Sequence, residues 1–337
     1  MLTSLKRAWP EASIDWLVQR EFADAVRAHP DLSEVVAFDR KAMGAQLRRL
    51  NPSSTLRFLS TMRHGGYDLV VDAQGLLRSG IFAYATGARR RIGDRNAREL
   101  GWLFCNDRVR VDPSLHAVDR MLALLEGAGI ETTHDMGLYT PAEAGKSFAS
   151  RHPELVESEY IVVAPTARWA AKRWAPERHA RVCERLLDEG APRIVVVGGA
   201  GEAAQCQPLR DLAERDPRVL NLVGQTSVGE LMALIERCAL FLGSDSASLH
   251  IAVGFARPLV ALYGPTRVDL VGPYRRELDV IQHIEPEDIL EHKNPRAGQM
   301  MERIGVDEVA DACLERLRRG HSPIHPVRRA DVCGSSA

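Results

Sequence analysis

The residues of this 337-residue chain that could do chemistry collect where apolar runs give way to small polar or charged residues. The most informative such stretch is Gly243-Ser-Asp-Ser-Ala-Ser-Leu-His250. It follows the apolar run 239–242 and opens a short helical pattern. A second apolar run, 259–263, then stops at Gly264-Pro265-Thr266. In a strand–helix–strand unit, Asp245 and Ser246 stand at a helix N-terminus, where unpaired N–H groups and the helix dipole favour an anion. Thr266 stands at a similar turn one strand further on. Two such turns close together suit a nucleotide diphosphate. Asp and Ser are also ordinary N-caps, and the spacing leaves both readings open.

Three other loops carry candidates. Residues 164–177 follow an apolar run and hold Thr166, Arg168, Lys172 and Arg173. A lysine there can offset charge on a diphosphate leaving group as a point charge. The alternative is a solvated basic loop anchored by Trp169 and Trp174. Val197-Gly-Gly-Ala-Gly-Glu202 ends another run. Its glycines permit close backbone approach, and Glu202 can accept hydrogen bonds from ribose hydroxyls. The alternative is a plain strand-to-helix turn. The glycines are not spaced G-x-G-x-x-G, and no acidic strand end follows about 20 residues on, so a nicotinamide fingerprint fails. In the first half, Asp72-Ala-Gln-Gly-Leu-Leu-Arg-Ser79 offers Asp72, Gln74 and Arg78. Arginines 89–91 with Arg95 and Arg98 form a positive field that suits an acidic acceptor, or a solvated surface. His250 either reaches a ligand or is a satisfied buried histidine. His283, Glu285 and His292 fit no standard zinc spacing, so no metal site is expected. No nucleophile elbow, H-E-x-x-H or Walker A motif is present.

Positioning these loops takes alternating strands and helices, which argues for parallel sheets wrapped by helices. Strands are expected near residues 14–18, 35–38, 69–72, 91–93, 160–164, 193–197, 220–223, 240–243, 259–263 and 278–281. Helices are expected at 2–8, 22–28, 56–64, 78–85, 116–127, 176–189, 202–215, 228–238, 246–254 and 306–319. The length suggests two domains. Periodicity is lost over 141–159, which places domains at 1–150 and 151–320 and leaves 321–337 as a loosely ordered tail. The chain opens on a helix, whereas a doubly wound domain normally opens on a strand in mid-sheet. A net charge of −1 excludes an obvious nucleic-acid binder. No apolar run approaches the roughly 18 residues of a membrane span. The start is read as a helix and not a signal peptide. Six scattered cysteines without a C-x-x-C pair read as buried reduced thiols of a cytosolic protein.

Taken in order, these motifs resemble the heptosyltransferases of lipopolysaccharide core assembly, glycosyltransferase family 9. The carrying residues are Asp72–Ser79, Pro165-Thr-Ala-Arg-Trp-Ala-Ala-Lys-Arg-Trp174, Gly198-Gly-Ala-Gly-Glu202, Leu222-Val-Gly-Gln-Thr-Ser227, Asp245-Ser-Ala-Ser-Leu-His250 and Tyr263-Gly-Pro-Thr266. Each piece is weak and the ordered set, which runs to about Arg319, is specific. The resemblance implies an α/β fold of the GT-B type: two Rossmann-like doubly wound domains facing across a cleft, donor on the second, acceptor on the first. It implies metal-independent, inverting transfer of a heptose from ADP-heptose to a Kdo-bearing lipid A or related anionic glycolipid, with no cofactor. It implies a cytoplasmic protein in peripheral contact with the inner membrane face.

Carried over by position, Lys172 meets the donor phosphate or sugar, Glu202 the ribose, and Thr226 and Ser227 the adenine side. Asp245, Ser246 and Ala247 match the phosphate and sugar turn, His250 the family's histidine. Thr166, Arg168 and Thr266 complete the donor candidates. Asp72, Gln74, Arg78, Arg91 and Arg98 are the acceptor-side candidates.

Three departures stand out. Ala247 replaces the family's glycine, which would narrow that turn. Gln282-His-Ile-Glu285 and Gln299-Met-Met-Glu302 stand where many relatives are cysteine-rich. The family's first strand and Gly-Asp loop have no match, so the expected general-base Asp lies upstream of Met1 and no catalytic base is named. A GT-B epimerase or hydrolase, or an inactive donor-binding protein, are the alternative readings.

Overall fold

Apolar runs bounded by small polar residues become eleven strands among the described residues, and every strand pairing is parallel. The computed structural model describes residues 1–49, 51–291 and 293–319. The tail 321–337 and His292, singled out above, lie outside the described residues. The chain divides into two units, Met1–Asp135 with Asp269–Tyr274, and Met136–Val268 with the residues from Arg275 onward.

In the second unit, β6 (Tyr160–Ala164), β7 (Arg193–Val196), β8 (Val219–Asn221), β9 (Leu240–Ser244), β10 (Leu259–Leu262) and β11 (Val280–Ile281) form one sheet. Their order is β11-β10-β9-β6-β7-β8. The chain steps outward from β6 to β8, then returns to lay β9 on the other side of β6. β6, β9 and β10 are buried along their whole length, which is why they read as continuous apolar runs. Alternate residues (Ile161, Val163, Ile194, Val196, Leu240 and Leu242) join a core with helices Pro176–Asp188, Gln207–Arg215 and Val306–Arg319.

The first unit is built differently. β1 (Asp15–Gln19) pairs only with β2 (Glu34–Phe38), while β3 (Leu69–Asp72), β4 (Arg90–Asp94) and β5 (Asp107–Val109) form a second sheet. No ladder joins the two among the described residues, so β1 and β3 each keep one edge without a strand partner. Its cores are small. One gathers Ile92, Val109, Val111, Leu124, Leu125 and Ile130; the other is Phe38, Met62 and Phe82. Phe38, Phe58 and Phe82 pack at centroid separations of 5.3–6.1 Å.

The division falls at Asp135, ahead of the expected residue 150, because 142–151 is a helix, Ala142–Arg151, belonging to the second unit. It escapes periodicity analysis because Phe148 is its one buried residue. Polar contacts do the rest: the Ser147 hydroxyl and an Arg151 guanidinium N–H each donate to Glu230 Oε1 at 2.7 Å. Glu230 also receives the Ser227 N–H at 3.0 Å, closing a capping box on helix Val228–Arg237. Burial opposes the charge on Glu230, but the Ser227 N–H, the Ser147 hydroxyl and Arg151 outweigh it and hold the carboxyl at about 2. A depressed folded-state pKa contributes stability above the ordinary value of 4.5, lost as pH falls through about 2. Thermal melts between pH 5 and 3 should therefore fall more steeply for the native chain than for Glu230→Gln; parallel curves would refute this assignment.

The five described cysteines (Cys105, Cys183, Cys206, Cys238 and Cys313) are all buried free thiols, as expected. β5 went unread because Asp107-Arg108-Val109 has a single apolar residue.

Candidate active site

A six-stranded parallel sheet sends all its strand ends to one edge, and the order β10-β9-β6-β7-β8 places five loops side by side there. They are the loops holding Thr266, Asp245, Lys172, Glu202 and Thr226. The chain reverses its direction of winding between β6 and β9. That switch point opens a crevice in doubly wound sheets.

Lys172 and Asp245 come from the two loops flanking the switch point, and they meet. Lys172 Nζ donates to Asp245 Oδ2 at 2.5 Å, with the side chains only 14% and 12% exposed. Hydrogen bonds tie the Lys172 loop down on both sides. Arg173 Nε donates to Ala167 O at 2.8 Å, and the buried Trp174 donates to Ile304 O at 3.2 Å. Trp174 is thus a packing anchor, whereas Trp169 and Arg168 are exposed and Arg168 lies over the Trp169 ring at 5.6 Å.

On the other side of β6, the Thr166 hydroxyl and the Gly199 N–H both donate to Glu202 Oε2 at 2.7 Å. The next loop is locked against this one. Gly224 N donates to Gly198 O at 2.8 Å. Gly224 has φ +75°, and a Cβ there would fall 2.9 Å from Ala200 Cα. Gly224→Ala should therefore destabilise the second unit by about 1–3 kcal/mol; an unchanged melting temperature would rule this out. Thr226 is half-buried, and Ser227 Oγ accepts the Glu230 N–H at 3.2 Å as an N-cap. Ser227's hydroxyl oxygen is therefore committed to the helix it begins.

Three buried hydroxyl groups, Ser244 Oγ, Tyr263 Oη and Thr266 Oγ1, have no hydrogen-bond partner among the described residues. They sit at the ends of the neighbouring strands β9 and β10, where Ser244 and Leu262 are register partners. Buried hydroxyls without partners are costly and mark a place built for something else to bind. Burial first, and the Asp245 charge second, push the Tyr263 phenol upward, so it stays a neutral donor. Gln282 Nε2 donates to Gly264 O and Thr266 O at 2.6 and 2.9 Å and fixes the turn between them. Ser244, Tyr263 and Gln282 carry no pattern that spacing alone could single out.

Ser246 is the N-cap of helix Ala247–Gly254, but its side chain makes no capping bond; its Oγ pairs with Ser248 Oγ at 2.8 Å. The plain capping alternative for Asp245 and Ser246 thus does not hold. Ala247 is exposed and has no positive φ, so its methyl carries no backbone strain. His250 is exposed, which removes the buried-histidine alternative.

In the first unit, several candidates hold their own loops. Asp72 Oδ1 accepts the Gln74 and Gly75 N–H groups at 3.1 and 3.0 Å, and Oδ2 accepts the Ser79 hydroxyl at 3.0 Å. Arg91 donates to Phe104 O and Ala88 O, and lies over the Tyr84 ring. Arg90 is likewise engaged, by Asp107. The arginine run is therefore partly bracing, not simply a solvated surface. Arg78 stacks on Phe38 at 5.8 Å, while Gln74 and Arg98 are exposed. Among the described residues no group of three or more metal-ligating side chains assembles.

A doubly wound parallel sheet of this order, with the Lys172–Asp245 pair at its switch point, has the form of a Rossmann-like domain of the GT-B fold. Residues 55–300 match Glycosyltransferase family 9 (heptosyltransferase), and the chain belongs to that family. Lipopolysaccharide heptosyltransferase 3 of Escherichia coli is 26% identical over 79% of this chain and 78% of its own. Lipooligosaccharide heptosyltransferase 2 of Haemophilus influenzae is 31% identical over 74% of this chain and 75% of its own. The solved structure of the E. coli ADP-heptose lps heptosyltransferase II superposes with a TM-score of 0.74 at 22% identity, covering 94% and 93% of the two chains. The protein is a glycosyltransferase.

Proposed function

We propose that this chain transfers a heptose from ADP-heptose to an anionic lipopolysaccharide-core glycolipid, with inversion at the anomeric carbon. The observation that carries the reading is the pairing of Lys172 with Asp245 across the β6–β9 switch point, with Thr166 and Glu202 on the adjoining loop. The adenosine ribose would meet Glu202, whose Oε2 is already held by Thr166 and Gly199 and whose Oε1 would accept from the ligand's hydroxyls. Thr226 and Ser227 would border the adenine. The diphosphate would lie over the N–H groups at Ser246 and Ala247, with Thr266 and the buried Ser244 and Tyr263 hydroxyls as donors. Lys172, aimed by Asp245, would stabilise charge on the departing diphosphate, so the reading needs no metal ion. Arg168 and His250 would border the donor.

The acceptor hydroxyl attacks the anomeric carbon, its proton passes to a base, and the bond to the β-phosphate oxygen breaks. Gln74, Arg78 and Arg98 would meet the acceptor's phosphates and acidic sugar, with Asp72 and Arg91 shaping their loops. That the relatives above are named for heptose transfer to lipopolysaccharide or lipooligosaccharide supports this assignment. A site on the inner face of the cytoplasmic membrane belongs to the same proposal; no helix of the described residues is long and apolar enough to cross a membrane.

The test is turnover with a panel of ADP- and UDP-sugars and a Kdo-bearing lipid A acceptor, with product anomer read by NMR. Faster transfer from a UDP-sugar, or hydrolysis of ADP-heptose without transfer, would reject it. By calorimetry, Glu202→Ala should raise the Kd for adenosine diphosphate by about 10–100-fold, the loss of a charged hydrogen-bond acceptor, and should also lower the melting temperature, because the Thr166 hydroxyl and the Gly199 N–H lose their partner.

A further inference from the structure

Helix Leu77–Ala85 and the helical turns Arg98–Phe104 lie against each other through glycines: a Cβ at Gly80 would fall 2.7 Å from Gly101 O, and one at Gly101 would fall 2.8 Å from Leu76 O. This close seam turns two apolar rows outward together. Leu77, Ile81 and Tyr84, spaced four and three residues apart, are all exposed on the first helix. Leu100 and Leu103, 58% and 52% exposed, stand on the second. Tyr84 and Phe104 pack edge to face at 6.0 Å and make the rows one patch. Leu100 has φ +63°, an unfavourable conformation for a leucine that is not repaid by burial.

The rim of the patch is basic and aromatic. Arg91 lies over Tyr84 at 5.5 Å and Arg108 over Trp102 at 4.9 Å. Arg89 and Arg98 are exposed beside them, and Glu99 is the one acid within the second helix. Leucines flanked by tyrosine and tryptophan, each carrying a guanidinium, match the layering of an anionic bilayer: acyl chains, then the interfacial zone, then phosphates.

We infer that this patch seats the first unit on an anionic membrane surface, with Leu77, Ile81, Leu100 and Leu103 entering the interface and Arg89 and Arg108 meeting lipid phosphates. The inference rests on the lipid-linked acceptor proposed above for its purpose, and on the patch alone for its test.

Sedimentation of the full chain with vesicles of phosphatidylethanolamine and phosphatidylglycerol should bring the protein down, and vesicles of phosphatidylcholine should not. Arg108→Gln should weaken binding about fivefold. Leu100→Asn with Leu103→Ser should weaken it at least tenfold, while the melting temperature holds or rises because asparagine tolerates positive φ. Adenosine diphosphate affinity, measured by calorimetry on the same variants, should not change. Equal binding to both vesicle types, or undiminished binding by the leucine variant, overturns the inference. So does a loss of self-association on size exclusion with vesicle binding unaltered, since the patch would then join two copies of this chain. A wild-type protein that binds anionic vesicles but not adenosine diphosphate would instead refute the donor site and leave the membrane patch standing.

Discussion

Lys172→Ala is expected to lower kcat/KM by about two to three orders of magnitude, most of it in kcat. In the proposed reaction its ammonium would act on charge that develops as the sugar–phosphate bond breaks, so the transition state would lose more than the ground state. Arginine should not restore activity, since a planar guanidinium cannot replace a compact charge bonded to Asp245 at 2.5 Å. The change also strands the mostly buried Asp245, and unpairing a buried charge costs about 3–5 kcal/mol, somewhat less where the pair is partly wet. Loss of activity could therefore be mistaken for loss of fold. The double variant Lys172→Ala/Asp245→Ala separates the two: it should melt above Lys172→Ala while remaining as inactive. Asp245→Asn alone should lose activity less than Lys172→Ala, as befits a positioning residue. Recovery of turnover in the double variant would remove Lys172 from the chemistry.

The second large effect is on unfolding. The two units should melt in separate steps, the first unit well below the second. The six-stranded sheet of the second unit packs against helices in one extensive core, with three strands wholly buried. The first unit splits its strands between two unjoined sheets, and no residue of β1 is fully buried. Few buried apolar contacts and unpaired strand edges are the marks of low local stability. Hydrogen exchange should show fast amides in β1 and β2 and strong protection in β6, β9 and β10. Adenosine diphosphate, if it binds the second unit as proposed, should raise only the upper transition, by mass action. A single coincident transition by fluorescence, circular dichroism and calorimetry would contradict this picture.

How far could these conclusions be read in the residues alone? The strands that carry the site were legible because each is an apolar run ended by a glycine or small polar residue, and 160–164 and 69–72 fall where expected. The loop motifs were legible because diphosphate chemistry asks for lysine, glycine and hydroxyl residues at strand ends. The Lys172–Asp245 bond was not, because the two residues meet only after β9 returns to the side of β6, a pairing between residues far apart in sequence. Asp72 shows the converse limit. It has the look of a binding carboxylate, yet its oxygens are engaged by Gln74, Gly75 and Ser79 in its own turn. Helix Ala142–Arg151 was missed because its docking is polar, through Ser147 and Arg151, and leaves no apolar stripe.

The excursion of Asp269–Tyr274 governs how the molecule can be taken apart. These residues come from late in the chain, yet Tyr274 donates its hydroxyl proton to Asp119 Oδ1 and meets the His116 ring at 5.1 Å. His116 in turn contacts Gly272 O at 3.1 Å. A cut at residue 135 therefore yields no autonomous halves: the leading fragment loses a packed tyrosine, and the trailing one keeps a loop stripped of its seat. Dissection of the second unit calls for replacing 269–274 with a short polar bridge, and a protease nick near residue 135 should leave the pieces clinging together through that tyrosine.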